Sequence, residues 1–247
     1  MSSTAFPNMG VSLAFLKGLL DDPDMQKPMV SLARPDLTDA MIDGMTNQEL
    51  RDLAKELRVH SDLDGTEEFA LYRDEAIPRE TWLAAVRQPP TTTTHVNLCI
   101  VKPRTNGLGG SYATTILAGK VDEATSRPLT GLPTDFASHA WRYQYKDFVA
   151  AIEEEARQRD AERAREGLPP ITEWRYYWND IFVEDQNATD SKPEGYFFDA
   201  FRNAIITIGR TVLVLCPLSA AIPLTRAWCV WEIFCTLRSK GAELAVA

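Results

Sequence analysis

Thr211-Val-Leu-Val-Leu-Cys-Pro217, with Leu224-Thr-Arg-Ala-Trp-Cys-Val-Trp-Glu-Ile-Phe234 shortly after it, decides how the rest of the chain is read. The first stretch is a short β-branched and leucine run stopped by proline, a pattern that suits a strand buried on both faces. The second opens an aromatic-rich helix carrying one carboxylate, Glu232, among Trp228, Trp231 and Phe234. A carboxylate in apolar company is costly to ionise, so three roles stand open for it: a cap, an exposed rim position, or chemistry.

Working outward, Asp135-Phe-Ala-Ser-His-Ala-Trp141 reads as a strand turning into a helix, and Tyr176-Tyr-Trp-Asn-Asp-Ile-Phe182 as a second strand. Between 195 and 208, apolar residues at 197, 198, 201, 204, 205 and 208 follow the spacing of one helical face. Glu243-Leu-Ala-Val-Ala247 begins another strand. Strands and helices alternating at these lengths predict βαβ units and a parallel sheet.

This order resembles the Toll/interleukin-1 receptor (TIR) domain family over roughly residues 133–247. The matching elements are Asp135 to His139, Tyr177 to Asp180, the Val-Leu-Val-Leu-x-Pro strand and Trp-Cys-x-x-Glu-Ile at 228–233. The last is similar to the Trp-Cys-Leu-x-Glu-Leu of plant immune TIR domains. The Ser-His-Ala-Trp opening at 138–141 looks closer to divergent TIR-like domains of large algal and protist proteins than to animal receptors. The fold implied is α/β, a flavodoxin-like parallel sheet. A TIR sheet has five strands, so the resemblance implies a C-terminally incomplete domain, truncated after its third helix, unless residues 96–132 supply part of what is missing.

In TIR domains that cleave NAD+, the resemblance implies a catalytic glutamate at Glu232. Breaking the nicotinamide–ribose bond passes through an oxocarbenium-like state, which a nearby carboxylate stabilises. Trp228, four residues earlier, shares its helical face and offers a ring to stack on a flat base. Ser138 and His139 end the first strand and Asp180 the second, where open α/β sheets bind ligands. These make four candidate substrate-binding residues, although Ser138 is equally placed to cap the next helix and Asp180 the next turn. No Gly-x-Ser-x-Gly elbow surrounds Ser138, which excludes a serine hydrolase of that type. Residues 183–196 correspond to the loop that mediates TIR–TIR contact and gates the pocket in relatives. Two functions follow: an NAD+ glycohydrolase active on self-association, or a catalytically silent adaptor working by assembly with itself or other TIR-like proteins. NAD+ enters as substrate, and no cofactor is implied.

At 247 residues, 45% hydrophobic and 25% charged, the chain can bury a proper core. Residues 1–95 carry 9 Lys and Arg against 16 Asp and Glu, and the whole chain has a net charge of −9, so general nucleic-acid binding is not expected. The four cysteines form no Cys-x-x-Cys pair and the three histidines are scattered, so no metal site is expected. No stretch is apolar enough for a membrane span, no signal peptide is evident, and a cytoplasmic location is the simplest reading.

Four segments are expected. Residues 1–40, punctuated by Pro7, Pro23, Pro28 and Pro35, read as weakly ordered with one amphipathic stretch at Val11–Leu20. Residues 41–88 read as a small helical region: Thr46-Asn-Gln-Glu49 is a capping box and a second helix spans Arg79–Arg87. The pair resembles the SAP helix-loop-helix module around Asp64-Gly65 but lacks its basic surface, which favours a packing or interaction role. Pro89-Pro-Thr-Thr-Thr-Thr94 opens a linker and extension over 89–132, with a strand at Val96–Val101 and a plain turn at Gly107-Leu-Gly-Gly110. The TIR-like part, 133–247, contains a charged run at 153–166 whose Glu153–Arg157 and Glu155–Arg159 spacings predict a solvated helix.

Overall fold

Six strands form one sheet in the order β2-β1-β4-β3-β5-β6: β1 Gly10–Ser12, β2 Thr130–Gly131, β3 Asp135–Ser138, β4 Tyr176–Trp178, β5 Arg210–Leu213 and β6 Glu243–Val246. The computed structural model describes residues 8–59, 77–215, 218 and 221–247. Strands β4, β3, β5 and β6 run parallel, with Phe136 of β3 between Trp178 and Thr211. All four residues of β3 and the last three of β5 are buried, as the apolar run around Val212 requires. The mixed α/β architecture, with its mostly parallel sheet, is compatible with a flavodoxin-like fold.

Six of the helices are α1 Leu13–Gly18, α2 Asn47–Glu56, α3 Arg79–Arg87, α4 Tyr145–Arg165, α5 Tyr196–Ile208 and α6 Ala227–Arg238, the last two of which line the candidate site. Helix α5 packs on β3 and β5, and α6 on β5 and β6. Gly209 ends α5 in the left-handed conformation, φ 75°, its N–H returning to the Ile205 carbonyl, so that β5 starts at the next residue. The capping box of α2 is formed, with Thr46 and Glu49 each accepting the other's backbone N–H, and α3 occupies the range its pattern predicts.

Several expectations are corrected. Residues 8–40 are not weakly ordered: Gly10–Ser12 lies inside the sheet, Val11 is fully buried opposite Tyr177, and Ser12 caps α1. One hydrophobic core includes Leu16, Leu50, Trp82 and Ile100 together with Phe136 and Trp178, so the Pro89–Thr94 break does not divide two packed units. Asp64 and Gly65 lie outside the described residues. The extension replaces no strand beyond β6. Its two residues Thr130 and Gly131 join the opposite side of the sheet, antiparallel to β1.

Val96–Val101 is not a strand but the middle of a helical run over 93–105, with a π turn at Asn97–Val101 just ahead of Pro103. Its residues Val96, Cys99, Ile100 and Val101 are all buried, and an apolar run buried on every side has no period to tell helix from strand. The strand at 176–182 stops at Trp178, and a short helix, Asp180–Val183, follows. The first strand does not turn directly into a helix either, since α4 begins only at Tyr145.

The charged run of α4 makes none of its predicted i,i+4 pairs. Glu153 bonds Lys17, Arg157 bonds Glu154 and Arg159 bonds Glu243. Glu155 is buried, meeting Arg175 at 2.7 Å and Arg210 at 2.6 Å, while both arginines also bind Asp135. This charge cluster fastens α4 to the N-terminal ends of β3 and β5.

Candidate functional site

The site lies beyond the C-terminal ends of the parallel strands. Here β3 delivers Ser138 and His139, the turn after β4 delivers Asp180, and α6 delivers Trp228 and Glu232. Glu232 is not in the first turn of α6, which contains no acid, but one turn deeper and only 6% exposed. The inward positions of α6 are Cys229, Glu232, Cys235 and Thr236, spaced three and four apart, so a single apolar–polar face carries the carboxylate into the protein.

There the Ser138 hydroxyl donates to Glu232 Oε2 at 2.5 Å. Burial pushes the Glu232 pKa up to about 8; the Ser138 hydrogen bond opposes this and the nearby Asp180 charge adds to it. Ser138 caps no helix: Gln144 precedes α4 and gives no side-chain cap.

Glu232, His139, Asp180 and Trp228 line one cavity of about 490 Å³, within the usual range for small-molecule sites. Ser138 is not part of the wall and reaches the cavity only by holding Glu232 from behind. Asp180 Oδ1 accepts the Ile181 N–H and Oδ2 accepts the Trp141 indole N–H, both at 2.9 Å, and loss of solvation lifts its pKa to about 6. It therefore serves the local turn and lines the pocket at once.

His139 is buried against Phe148, ring centroids 4.5 Å apart, and burial lowers its pKa to about 4, which keeps the imidazole neutral. Its Nε2 finds no hydrogen-bond partner among the described residues. Trp228 packs on Phe198 and Phe201 at 4.4 and 5.8 Å and stays partly exposed at the cavity. Burial, with the Glu232 and Asp180 charges behind it, pushes the Cys229 thiol up to about 12, leaving it an unreactive wall.

Sequence reasoning missed further lining residues. Glu184 is buried, its Oε2 takes the Tyr196 hydroxyl at 3.3 Å, and Oε1 has no partner among the described residues. Burial raises its pKa to about 7. Asp180 and Glu184 are four apart: a strand would separate them by about 13 Å, a helical turn by about 6 Å. Reading 176–182 as a strand therefore hid their shared wall.

Trp141, Arg142, Arg226 and Lys102 also face the cavity. Lys102 comes from the helical run over 93–105, well before β3 in the chain. That run is latched to the loop after β4: Asn97 donates to Gln186 at 3.1 Å, and Asn187 donates to the Lys102 carbonyl and the Thr105 hydroxyl. The loop over 183–196 thus rests on the N-terminal half of its own chain.

Among the described residues no three His, Cys, Asp or Glu side chains are grouped to hold a metal ion, and no helix is long and apolar enough to cross a membrane. No protein-family model, curated protein or solved structure matches the chain.

Proposed function

We propose that this chain is a TIR-like NAD+ glycohydrolase in which Glu232 is the catalytic carboxylate. The observation that carries the reading is a buried glutamate, hydrogen-bonded to Ser138, opening into a partly aromatic cavity at the C-terminal edge of a parallel sheet.

In this mechanism the N-glycosidic bond of NAD+ breaks with its electron pair going to the nicotinamide nitrogen. Positive charge develops on the ribose, and water supplies the oxygen that forms ADP-ribose, releasing one proton. Glu232 in its ionised form stabilises that developing charge in a site of low polarity. The free carboxyl, at about 8, is mostly protonated at neutral pH. The pyridinium of NAD+ is itself a cation, so its arrival favours the ionised carboxylate. Trp228 stacks on a flat ring, and Trp141, pinned through Asp180, forms part of the same enclosure.

Purified protein incubated with NAD+ should release free nicotinamide, and Glu232→Gln should reduce the rate by about 10²–10³ while remaining folded. Unchanged cleavage by that variant would refute the assignment.

A second reading, the silent adaptor, is favoured by a separate observation. The outward face of α6 is apolar, with Val230, Phe234 and Leu237 exposed beside Phe198 of α5. A continuous aromatic strip of this kind marks association surfaces. Phe234→Glu should then abolish any concentration-dependent self-association measured by sedimentation. Absence of nicotinamide release together with loss of assembly in that variant would favour this reading over catalysis.

A further inference from the structure

Lys102, Arg142 and Arg226 converge on the cavity from three separate parts of the chain: the helical run over 93–105, the loop after β3, and the residue before α6. Each is half-buried, and no side-chain hydrogen bond or ion pair is formed by any of the three among the described residues. Arg142 even holds its Nε out of solvent without a partner among the described residues. Three other arginines drawn into the protein are matched to acids: Arg175 and Arg210 to Asp135 and Glu155, and Arg104 to Asp22 and Asp24. Long cationic side chains drawn partly out of water with no counter-charge are costly.

The cavity does contain acids, yet none of Asp180, Glu184 and Glu232 is ion-paired with Lys102, Arg142 or Arg226 among the described residues. The three cations therefore do not spend their charge on those carboxyls. Burial pushes the same carboxyls toward their neutral forms, so near pH 7 the balance inside the cavity is positive. This occurs in a chain whose net charge is −9. Such a local inversion focuses anions into a cleft that the rest of the surface repels.

We infer that the cavity takes a phosphate-bearing nucleotide, with Lys102, Arg142 and Arg226 holding its phosphates, so that the N-terminal half of the chain completes the ligand site. The inference rests on reading this cavity as the substrate site and names what the substrate must carry there. Arginine pairs with phosphate oxygens through two parallel N–H donors, and lysine adds a point charge. A nucleoside without phosphate leaves all three cations unanswered.

The test is calorimetric binding of ADP and of adenosine to the full chain at pH 7, across a range of salt concentrations. ADP should bind with an affinity that falls as salt rises, and adenosine roughly tenfold more weakly or worse. Lys102→Gln, Arg142→Gln and Arg226→Gln should each weaken ADP by about 3- to 10-fold and leave adenosine unchanged, while Arg142→Lys, which keeps the charge but loses the paired donors, should fall between Arg142→Gln and wild type. Far-ultraviolet spectra and melts of each variant separate lost binding from lost folding.

Equal affinity for ADP and adenosine, no ADP binding, or neutral variants that bind ADP normally would overturn the inference. If ADP binds in the expected pattern but NAD+ is never cleaved, the nucleotide site stands and the glycohydrolase reading falls. If NAD+ is cleaved while the neutral variants keep wild-type KM and do not lose discrimination against nicotinamide riboside, the reverse holds.

Discussion

Ser138 donates its hydroxyl to the Glu232 carboxylate, joining the end of β3 to the second turn of α6 across 94 positions of sequence. This is the one hydrogen bond among the described residues that favours the ionised form of Glu232. Ser138→Ala should therefore move the pKa of Glu232 further upward. On the proposed mechanism, the rise of kcat/KM with pH shifts to higher pH and the value at pH 7 falls. The stability cost should be only about 1 kcal/mol, the scale of a single buried hydrogen bond. An unshifted pH profile would show that the serine does not tune the carboxylate.

On the same proposed mechanism, wild-type kcat/KM should follow ionisation of Glu232 in the free protein. With Glu232 at about 8, the rate constant at pH 6 should lie about 100-fold below its plateau. A profile already flat from pH 6 upward would mean that another group limits the reaction.

Stability carries the same signature with a definite sign. Burial raises Glu232 to about 8, Glu184 to about 7 and Asp180 to about 6. A group raised on folding keeps a proton that the unfolded chain has released, so its unfavourable contribution grows from its ordinary pKa up to its folded one. Stability should fall as pH climbs from about 5 to 8 on account of these three. Glu232→Gln should flatten the upper part of that fall and exceed wild type at pH 8 by about 1–3 kcal/mol in urea melts. Parallel wild-type and variant curves would contradict the raised pKa.

The charge cluster under β3 behaves oppositely. Burial raises the Asp135 pKa, but the Arg175 hydrogen bonds and the Arg175 and Arg210 charges outweigh it, and the net shift is downward. Its contribution is present above the ordinary carboxylate pKa and disappears in acid. Asp135→Asn leaves Arg175 buried with its counter-charge reduced, and should cost about 3–5 kcal/mol at pH 7. A change below 1 kcal/mol would show that the cluster is not a structural clamp.

Gly10 tests the unexpected N-terminal strand. A Cβ there would lie 3.0 Å from both the backbone carbon and the Cβ of Tyr176, on the neighbouring strand. Gly10→Val should destabilise the whole protein by about 2–4 kcal/mol, whereas the same change in a loosely attached tail would do almost nothing. Thermal melts decide between the two.

What the sequence disclosed was what local pattern can carry. The α3 and α5 helices are repeated apolar faces, the α2 cap is a four-residue signature, and β5 is a β-branched run stopped by proline. Glu232, His139, Asp180 and Trp228 share one cavity because they follow the ends of neighbouring strands or lie in the first two turns of the helix beside them. What escaped depends on distant partners. Glu155 sits in a run of alternating charges that looks fully solvated, and only Arg175 and Arg210, 20 and 55 residues away, draw it inside. The three residues of β1 are too few to display a period. Lys102 offers no local sign of a ligand, because the cavity it faces is made by residues up to 130 positions later.

The place of β1 has a consequence for how the chain acquires its shape during synthesis. Val11 leaves the ribosome long before Tyr177, the residue it must sit beside. Until that partner emerges, the early segment has only Thr130 and Gly131 to pair with, a two-residue edge too small to hold a strand. The sheet therefore closes late, by capture of a waiting segment across a long loop, the kind of contact that slows folding and leaves apolar surface open in the meantime.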